Sequence, residues 1–388
     1  MVKPGIRLPV ARKMKNNFLT MYHRCLFFAV LLLFLFSCNK SKEVGSDEPL
    51  MVYIGSKDGY LYAIDPVTGN EKWKCHTKSS FDYSSVALDN GVIYASGTYD
   101  KLYAIDAYSG KIQWTLPGDA VFHGTPFVYN KTVYAVDISG TWYAVNALNG
   151  KLKWKLERKV HSLASATAAD GLVYLVGGQD GGVFALNAET GKEQWYYKAS
   201  INSSGPALTG NLLIVGTLDQ GLLALDSKTG TKKWNFTSGG RIACSPAISD
   251  GVAFFGGEDN KMYAVNISDG SKKWEFSTGG YIVSSPFISN ELVYFGSYDG
   301  KVYALNIHTR QKVWAYNAGR TMESSPVEAG GTLFIGDGRF GKDRLQAINA
   351  ADGTLKWIFE ANDYIYHSPV VLMKSGKAIH SGLSGARH

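Results

Sequence analysis

The 388-residue chain contains 43 glycines, 23 tyrosines and 9 tryptophans, and 45% of its residues are hydrophobic. This composition, without a long amphipathic helical window, is typical of an all-β protein with short strands and many turns. Six positive charges precede residue 38; removing them from the formal net charge of +7 leaves about +1, which gives no electrostatic reason to expect nucleic acid as a partner.

The amino terminus has the pattern of a secretory signal. Basic residues precede a twelve-residue apolar run, Cys25 to Phe36, which is too short to span a bilayer. The run leads into Ser37-Cys38, and a small residue before a cysteine in this position resembles the lipobox of bacterial lipoproteins. That resemblance implies a lipoprotein signal peptide over residues 1–37 and lipidation of Cys38. An uncleaved membrane anchor is the alternative.

Residues 38–50 are polar and show no apolar periodicity, so we predict a flexible tether between lipid and folded domain. Asn39 follows the cysteine, which in the lipoprotein family usually goes with the outer membrane. The resemblance therefore implies a lipid-anchored outer-membrane protein, facing the periplasm or the cell surface. A start at Met14 or Met21 would leave the signal intact.

From residue 51 onwards the chain repeats one phrase, in which an alanine is followed ten residues later by a tryptophan. The eight tryptophans are Trp73, Trp114, Trp154, Trp195, Trp234, Trp274, Trp314 and Trp357, at spacings of 39 to 43 residues. A fixed period near 40 residues indicates an architecture in which no repeat buries its apolar face alone. We expect each of these tryptophans to be a structural docking residue, with its indole packed between neighbouring sheets.

The other positions of the phrase predict a tight turn. Asp or Asn stands two residues after the alanine in every copy, and Gly stands four residues later in seven copies. A short polar side chain can accept backbone N–H groups, and Gly adopts the positive φ that ends such a turn. The seventh copy has Arg310 instead of Gly, so its turn should be strained or of another type.

These repeats resemble the tryptophan-docking repeat of quinoprotein-type β-propellers. That family includes the PQQ-dependent alcohol dehydrogenases and the BamB-type lipoproteins of the outer-membrane β-barrel assembly machinery. The resemblance covers residues 51 to about 382 and implies an all-β, eight-bladed β-propeller of four-stranded antiparallel blades. Because the period runs without a break in composition, we predict one PQQ-like propeller domain over residues 51–388.

Ring closure requires a strand from the other end of the chain. Residues 51–55 match the second strand of a repeat, so the first strand of that blade is missing. We predict that the C-terminal segment 368–372 supplies this innermost strand and closes the ring. Residues 377–382 read as another strand, either a leftover or an edge cover.

The hairpin between the second and third strands usually carries Asp, often with Gly. One carboxylate per hairpin is too few for calcium, and Asp-Gly is ordinary hairpin chemistry, so we interpret these residues as turn formers. The hairpin at residues 337–344 is longer and carries three basic residues. Its extra length indicates either a recognition element or drift of the last repeat.

The residues just upstream of each innermost strand differ between repeats, so the repeated fold does not require them. At one mouth of the central channel, aromatic and arginine side chains suit protein recognition. The predicted partner-binding residues at this mouth are Tyr83, His123, Arg241, Tyr281, Arg320, Glu323, Tyr366 and His367.

No spacing in the sequence indicates a metal or cofactor site. His123, His161 and His367 come from different repeats without a His-x-His pattern, so we predict no metal site. Cys75 and Cys244 are four repeats apart and should be free, buried thiols. The PQQ dehydrogenases use an adjacent cysteine pair and an acidic and amide cluster for calcium, and this chain has neither pattern. We therefore expect no PQQ and no catalytic residues.

The leading hypothesis is a non-enzymatic, lipid-anchored scaffold for protein–protein interaction in the bacterial envelope. The resemblance implies outer-membrane protein assembly as its most specific version, with the assembly machinery as partner. The alternative is a PQQ-dependent dehydrogenase-like enzyme or a small-molecule sensor that uses the central channel.

Overall fold

The computed structural model describes residues 47–381, apart from residue 79 and residues 82–83, 98–100, 159–163, 178–180, 202–203 and 338–343. The described residues form strands joined by turns and loops. No helix in this part of the chain is long and apolar enough to cross a membrane. The predicted signal peptide, Cys38 and most of the predicted tether lie outside the described residues.

The strands form eight antiparallel sheets, which are the blades of a propeller. Blade 1 contains β1 (Pro49–Gly55), β2 (Tyr60–Ile64), β3 (Glu71–His76), β32 (Val370–Met373) and β33 (Ala378–His380). Blade 2 contains β4 (Ala87–Asp89), β5 (Val92–Gly97), β6 (Lys101–Asp106) and β7 (Ile112–Pro117). Blade 3 contains β8 (Phe122–Tyr129), β9 (Thr132–Asp137), β10 (Thr141–Asn146) and β11 (Leu152–Glu157). Blade 4 contains β12 (Thr167–Ala169), β13 (Leu172–Val176), β14 (Gly182–Asn187) and β15 (Glu193–Lys198).

The second half of the ring repeats the same order. Blade 5 contains β16 (Ala207–Thr209), β17 (Leu212–Gly216), β18 (Leu222–Asp226) and β19 (Lys232–Phe236). Blade 6 contains β20 (Ala247–Ser249), β21 (Val252–Gly256), β22 (Lys261–Asn266) and β23 (Lys272–Ser277). Blade 7 contains β24 (Phe287–Ser289), β25 (Leu292–Gly296), β26 (Lys301–Asn306) and β27 (Lys312–Asn317). Blade 8 contains β28 (Val327–Ala329), β29 (Thr332–Gly336), β30 (Arg344–Asn349) and β31 (Leu355–Glu360).

The repeated phrase forms the turn between the third and fourth strands of each blade. In blade 2, the Asp106 side chain accepts hydrogen bonds from the backbone N–H groups of Tyr108 and Ser109 at 3.1 and 2.8 Å. The N–H of Gly110, whose φ is 70°, donates to the Asp106 carbonyl at 2.9 Å. The short polar residue and the glycine therefore close the turn, as the sequence predicts.

The repeated indoles pack between neighbouring blades. Trp114 in blade 2 donates from Nε1 to the carbonyl of Ala147 in blade 3 at 2.9 Å. Six further indoles make the equivalent bond, and the seven distances run from 2.9 to 3.3 Å. Trp73 is the exception, since its indole nitrogen finds no acceptor among the described residues, and the equivalent carbonyl of Ala107 accepts from the Tyr53 hydroxyl at 2.7 Å. The predicted docking role of the tryptophans is confirmed.

Blade 1 closes the ring with strands from both ends of the propeller. Strand β32 pairs antiparallel with β1, and Val371 lies opposite Val52. The side chains of Val371 and Leu372 are fully buried. The prediction that the C-terminal segment supplies the missing innermost strand is confirmed.

Hydroxyl groups link the inner strands of successive blades around the propeller axis. The N–H of Ser285 donates to Ser325 Oγ at 2.9 Å, and the N–H of Ser325 donates to Ser368 Oγ at 3.0 Å. The N–H of Ser368 in turn donates to Ser85 Oγ at 3.0 Å, so the series of hydrogen bonds crosses the junction of the two chain ends. Crowding near the axis therefore selects residues that are small and can also accept a backbone hydrogen bond.

Strand β33 is an addition to the four-stranded blade. It pairs with β32 on the side away from β1 and therefore lies inside the ring, at the channel. His380 Nε2 is 3.3 Å from the carbonyl oxygen of Leu88 in blade 2. The sequence left two interpretations of this segment, a leftover or an edge cover. The structure supports the edge cover, and the edge that β33 covers is the inner edge of blade 1.

The two ends of the channel open on different faces. We call the face with the interblade loops and the hairpins between second and third strands the interblade face; residues 237–246 and 257–260 are examples. We call the face with the hairpins between first and second strands and the turns of the repeated phrase the turn face; residues 249–252 and 266–271 are examples. The predicted partner-binding residues belong to the interblade face.

Candidate protein-binding surface

The structure places seven of the eight predicted partner-binding residues, and Tyr83 lies outside the described residues. Arg241, Tyr281 and Arg320 are exposed, on the loops that enter blades 6, 7 and 8. The side chain of Tyr281 is 49% exposed, although a tyrosine with no binding role would gain from burial. These three residues form the most accessible part of the predicted mouth.

The other four residues are less accessible. Glu323, Tyr366 and His367 are half-buried. His123 lies within β8 rather than in a loop, and its side chain is only 5% exposed. His123 is therefore buried within the first strand of blade 3, and it offers little surface to a partner.

The backbone of these loops is fixed by the neighbouring hairpins. The carbonyl oxygen of Arg241 accepts from the N–H of Glu258 at 2.9 Å, and that of Tyr281 accepts from the N–H of Tyr298 at 2.9 Å. In blade 1 the carbonyl oxygen of Tyr364 accepts from the N–H of Lys57 at 2.9 Å. The main chain at these positions is therefore held by the hairpins, while the residue type differs from blade to blade.

The hairpin aspartates supply the second restraint. Asp299 accepts from the N–H of Gly279 at 2.9 Å and from the Tyr303 hydroxyl at 2.5 Å. Burial alone would raise the pKa of Asp299, but these hydrogen bonds lower it overall. Burial, and then the Asp299 carboxylate, raise the pKa of Tyr303. The carboxylate thus holds loop, hairpin and third strand together, which confirms its structural role.

Two tyrosines of blade 7 extend the exposed surface towards the loop that enters blade 8. The rings of Tyr281 and Tyr298 are 6.1 Å apart, and the Tyr298 hydroxyl donates to Glu323 Oε1 at 2.5 Å. Tyr298 was not predicted from the sequence. It stands directly before a hairpin aspartate, at a position that differs between repeats, and that variability was the signal that could have found it.

A second aromatic pair lies on blade 1. Tyr364 and Tyr366 stack with ring centroids 5.3 Å apart, and Lys57 Nζ is 5.5 Å from the centroid of the Tyr364 ring. Lys57 occupies the hairpin position that Tyr298 occupies in blade 7, so it was missed for the same reason. Large rigid rings and cations on a fixed backbone are the side chains that contribute most to protein interfaces.

The long basic hairpin of blade 8 is described only at its ends. Arg344 Nε lies 2.7 Å from Oδ2 of Asp337, and the Asp337 side chain is fully buried. This ion pair ties down one of the three basic residues. The other two, at positions 339 and 342, lie outside the described residues.

The titratable groups of the described residues do not assemble into a metal site. No group of three or more His, Cys, Asp or Glu side chains there is placed to hold a metal ion. Cys75 and Cys244 are free, buried thiols, as predicted. Burial raises the pKa of Cys244 to about 12, so this thiol stays protonated at neutral pH and is a poor nucleophile.

Several solved structures share this fold. BamB from Moraxella catarrhalis aligns with a TM-score of 0.63 and 20% identity, covering 83% of this chain and 95% of its own. Quinohemoprotein alcohol dehydrogenase from Comamonas testosteroni aligns at 0.63 and 14%, covering 74% and 69%. Apo AztD from Citrobacter koseri aligns at 0.63 and 12%, covering 86% and 99%. At these identities the likeness concerns the fold alone.

A comparison with curated protein sequences gave no significant match. A family model described as "Outer membrane protein assembly factor BamB" matches residues 57–203, 198–317, 238–358 and 278–382, which together span nearly the whole propeller. The chain therefore belongs to this family of PQQ-type repeat propellers.

Proposed function

We propose that this protein is a non-enzymatic scaffold of the bacterial envelope, which is anchored by a lipid on Cys38 and binds a partner protein on the interblade face. One observation supports the binding surface above all. Arg241, Tyr281 and Arg320 are exposed on three successive blades whose loops are held by backbone hydrogen bonds, and the first two loops are also held by aspartate hydrogen bonds. A rigid row of aromatic and arginine side chains loses little conformational entropy on binding.

The attachment point of the predicted tether supports a definite orientation. Asp47 accepts from the N–H of Ser375 at 3.0 Å, and the N–H of Lys374 donates to the carbonyl oxygen of Glu48 at 2.8 Å, both at the turn face. Eight residues separate a lipid on Cys38 from Asp47, and the nine Cα–Cα steps between them reach at most about 32 Å. The turn face would therefore lie next to the membrane, and the interblade face would point away from it.

Family membership supports outer-membrane protein assembly as the process served. On this proposal the partner is a component of the assembly machinery, and the contact is made by a part of that partner outside the bilayer. Neither a bound cofactor nor a catalytic residue enters the proposal.

Partner capture from solubilised envelopes tests the proposal. The full-length protein should enrich outer-membrane assembly proteins, and the triple variant Arg241→Ala, Tyr281→Ala and Arg320→Ala should enrich them at least tenfold less, since one interface hot spot contributes about 2 kcal/mol. The control is a triple variant on the turn face, Val67→Ala, Leu148→Ala and Lys228→Ala. These side chains are exposed as well, with Val67 at 79% and Leu148 at 86%.

Two results would contradict the proposal. One is capture of the same proteins by wild type and interblade variant, or no enrichment of outer-membrane proteins at all. The other is one equivalent of PQQ retained per chain through gel filtration after incubation with PQQ and calcium. Lipidation is tested separately, because Cys38→Ala should release the protein from membranes without changing capture in detergent.

A further inference from the structure

A cavity of about 400 Å³ lies at the turn-face end of the channel, opposite to the predicted partner-binding residues. Its apolar wall comes from blades 2, 3 and 7 and includes Leu88, Phe127, Phe287 and Ile288. Cavities of about 300 to 1,000 Å³ with apolar walls and few polar groups are typical of small-molecule sites. No part of the proposed scaffold function uses this space.

The C-terminal strand forms a further part of the wall. Ala378, Ile379 and His380 of β33 line the cavity and are themselves half-buried. Because β32 already pairs with β1, β33 is not needed to close blade 1. The strand instead narrows an open channel into a pocket of molecular size.

Glu328 gives the cavity its electrostatic character. This residue of β28 lines the cavity, and its side chain is only 6% exposed. Its Oε1 accepts from the N–H of Gly331 at 2.8 Å, which fixes the side chain. Among the described residues no cationic nitrogen lies within 4.0 Å of the carboxylate.

The two basic residues at the cavity have other neighbours. Lys377 is exposed, and its charge lowers the pKa of Asp47 less than the hydrogen bonds from Ser375 do. The imidazole of His380 approaches the Leu88 carbonyl oxygen at 3.3 Å. Asp89, the second carboxylate of the lining, accepts from Asn90 Nδ2 at 2.9 Å. Glu328 is the more buried of the two lining carboxylates and is therefore the group that we assign to a ligand of opposite charge.

We propose that the turn-face cavity binds a small organic cation with an apolar body, placing its ammonium group at Glu328. The rings of Phe127 and Phe287 provide apolar contact, and aromatic faces also attract cations. Binding would pair the buried carboxylate and fill the cavity in one step. This site is independent of the partner-binding surface, since it lies at the other end of the channel.

A matched pair of ligands tests the proposal by calorimetric titration of the full-length protein in detergent at neutral pH. Tryptamine carries an ammonium group on an indole, and indole-3-propionate carries a carboxylate on the same ring. Tryptamine should bind at least tenfold more tightly than indole-3-propionate. Glu328→Gln, which keeps an oxygen to accept from Gly331, should reduce that preference to less than twofold.

The control variant is Glu189→Gln, which removes a carboxylate that is 78% exposed and paired with Lys153 on the outer rim. It should keep the full preference for tryptamine, and thermal melts should show that both variants are folded. Equal affinity for the two ligands, no binding of either, or an unchanged preference in Glu328→Gln would each overturn the proposal.

Discussion

The glycine of the repeated turn meets two requirements at once. Gly270 has a φ of 75°, and a Cβ added to it would lie 2.7 Å from the ring of Trp234 in the preceding blade. Arg310 fills the same place in blade 7 with a φ of 66° and keeps the same turn, since its N–H donates to the Asn306 carbonyl at 2.9 Å. Of the two alternatives for this turn, the structure supports strain rather than another turn type.

The strained turn predicts a stabilising substitution. A left-handed conformation costs a residue with a Cβ about 1 to 2 kcal/mol, and glycine avoids most of that cost. Trp274, the indole of the preceding blade, makes the longest of the seven indole hydrogen bonds at 3.3 Å. We expect Arg310→Gly to raise the free energy of unfolding by about 1 kcal/mol in urea titrations.

The reverse change at an equivalent turn provides the control. Gly270→Ala places a Cβ both at positive φ and against the Trp234 ring, so it should lower the free energy of unfolding by at least about 1 kcal/mol. If both substitutions leave the urea midpoint unchanged, the packing of indole on glycine is not what fixes this turn.

Strands β32 and β33 are neighbours in sequence but differ in what they hold together. Strand β32 pairs with β1 and buries Val370, Val371, Leu372 and Met373, all at most 5% exposed. Full burial of four such side chains contributes about 6 to 12 kcal/mol before ordering costs, which is similar to the stability of a whole domain. Strand β33 is half-buried and joins only the inner edge of β32.

Two truncations separate these roles. Deleting residues 367–388 removes β32, opens the ring and should lower the melting temperature by more than about 10 °C, because most of the closing contacts are lost. Ending the chain at Gly376 removes β33 but keeps β32, and it should change the melting temperature by no more than about 3 °C. Differential scanning calorimetry distinguishes the two, and similar melting curves for both truncated chains would refute closure by β32.

The ring is closed at one blade, where strands from the two ends of the chain meet. Seven blades are continuous in sequence, whereas blade 1 combines residues from both ends. A junction of this kind can open locally without unfolding the other blades, because each blade contacts mainly its neighbours. The two cysteines report on different parts of the ring, since Cys75 lies on β3 of blade 1 and Cys244 on the loop into blade 6.

Thiol labelling under native conditions tests whether blade 1 opens first. Cys75 and Cys244 are 7% and 1% exposed, so both should resist a thiol reagent at pH 8 until the surrounding structure opens. We expect Cys75 to react at least tenfold faster than Cys244, measured by mass spectrometry. Because burial raises the pKa of both thiols, the native labelling rate of each cysteine is compared with the rate of the same cysteine in denaturant. Equal native rates would indicate that the ring opens only as a whole.

Much of the architecture could be predicted because it recurs. Eight copies of one phrase reveal the turn, the docking tryptophan and the blade number, and residues 51–55 reveal that a strand is missing. The second role of Gly270 against an indole could not be predicted, because the two residues come from different repeats. The partner-binding residues were found only where they depart from the repeat, and Tyr298 and Lys57 were missed because the hairpin was treated as a uniform turn.

By itself the sequence determined the periodic part of this protein: strand pattern, turns, indole positions and the need for closure. These features depend on local backbone preferences and on apolar periodicity, both of which are written along the chain. Only the tertiary structure decided the placement of distant residues, such as β33 inside the ring and Glu328, Phe127 and Phe287 in the lining of one cavity. The physical reason is that the channel is built from one short strand of each blade, so its shape and charge depend on how all eight blades meet at the axis.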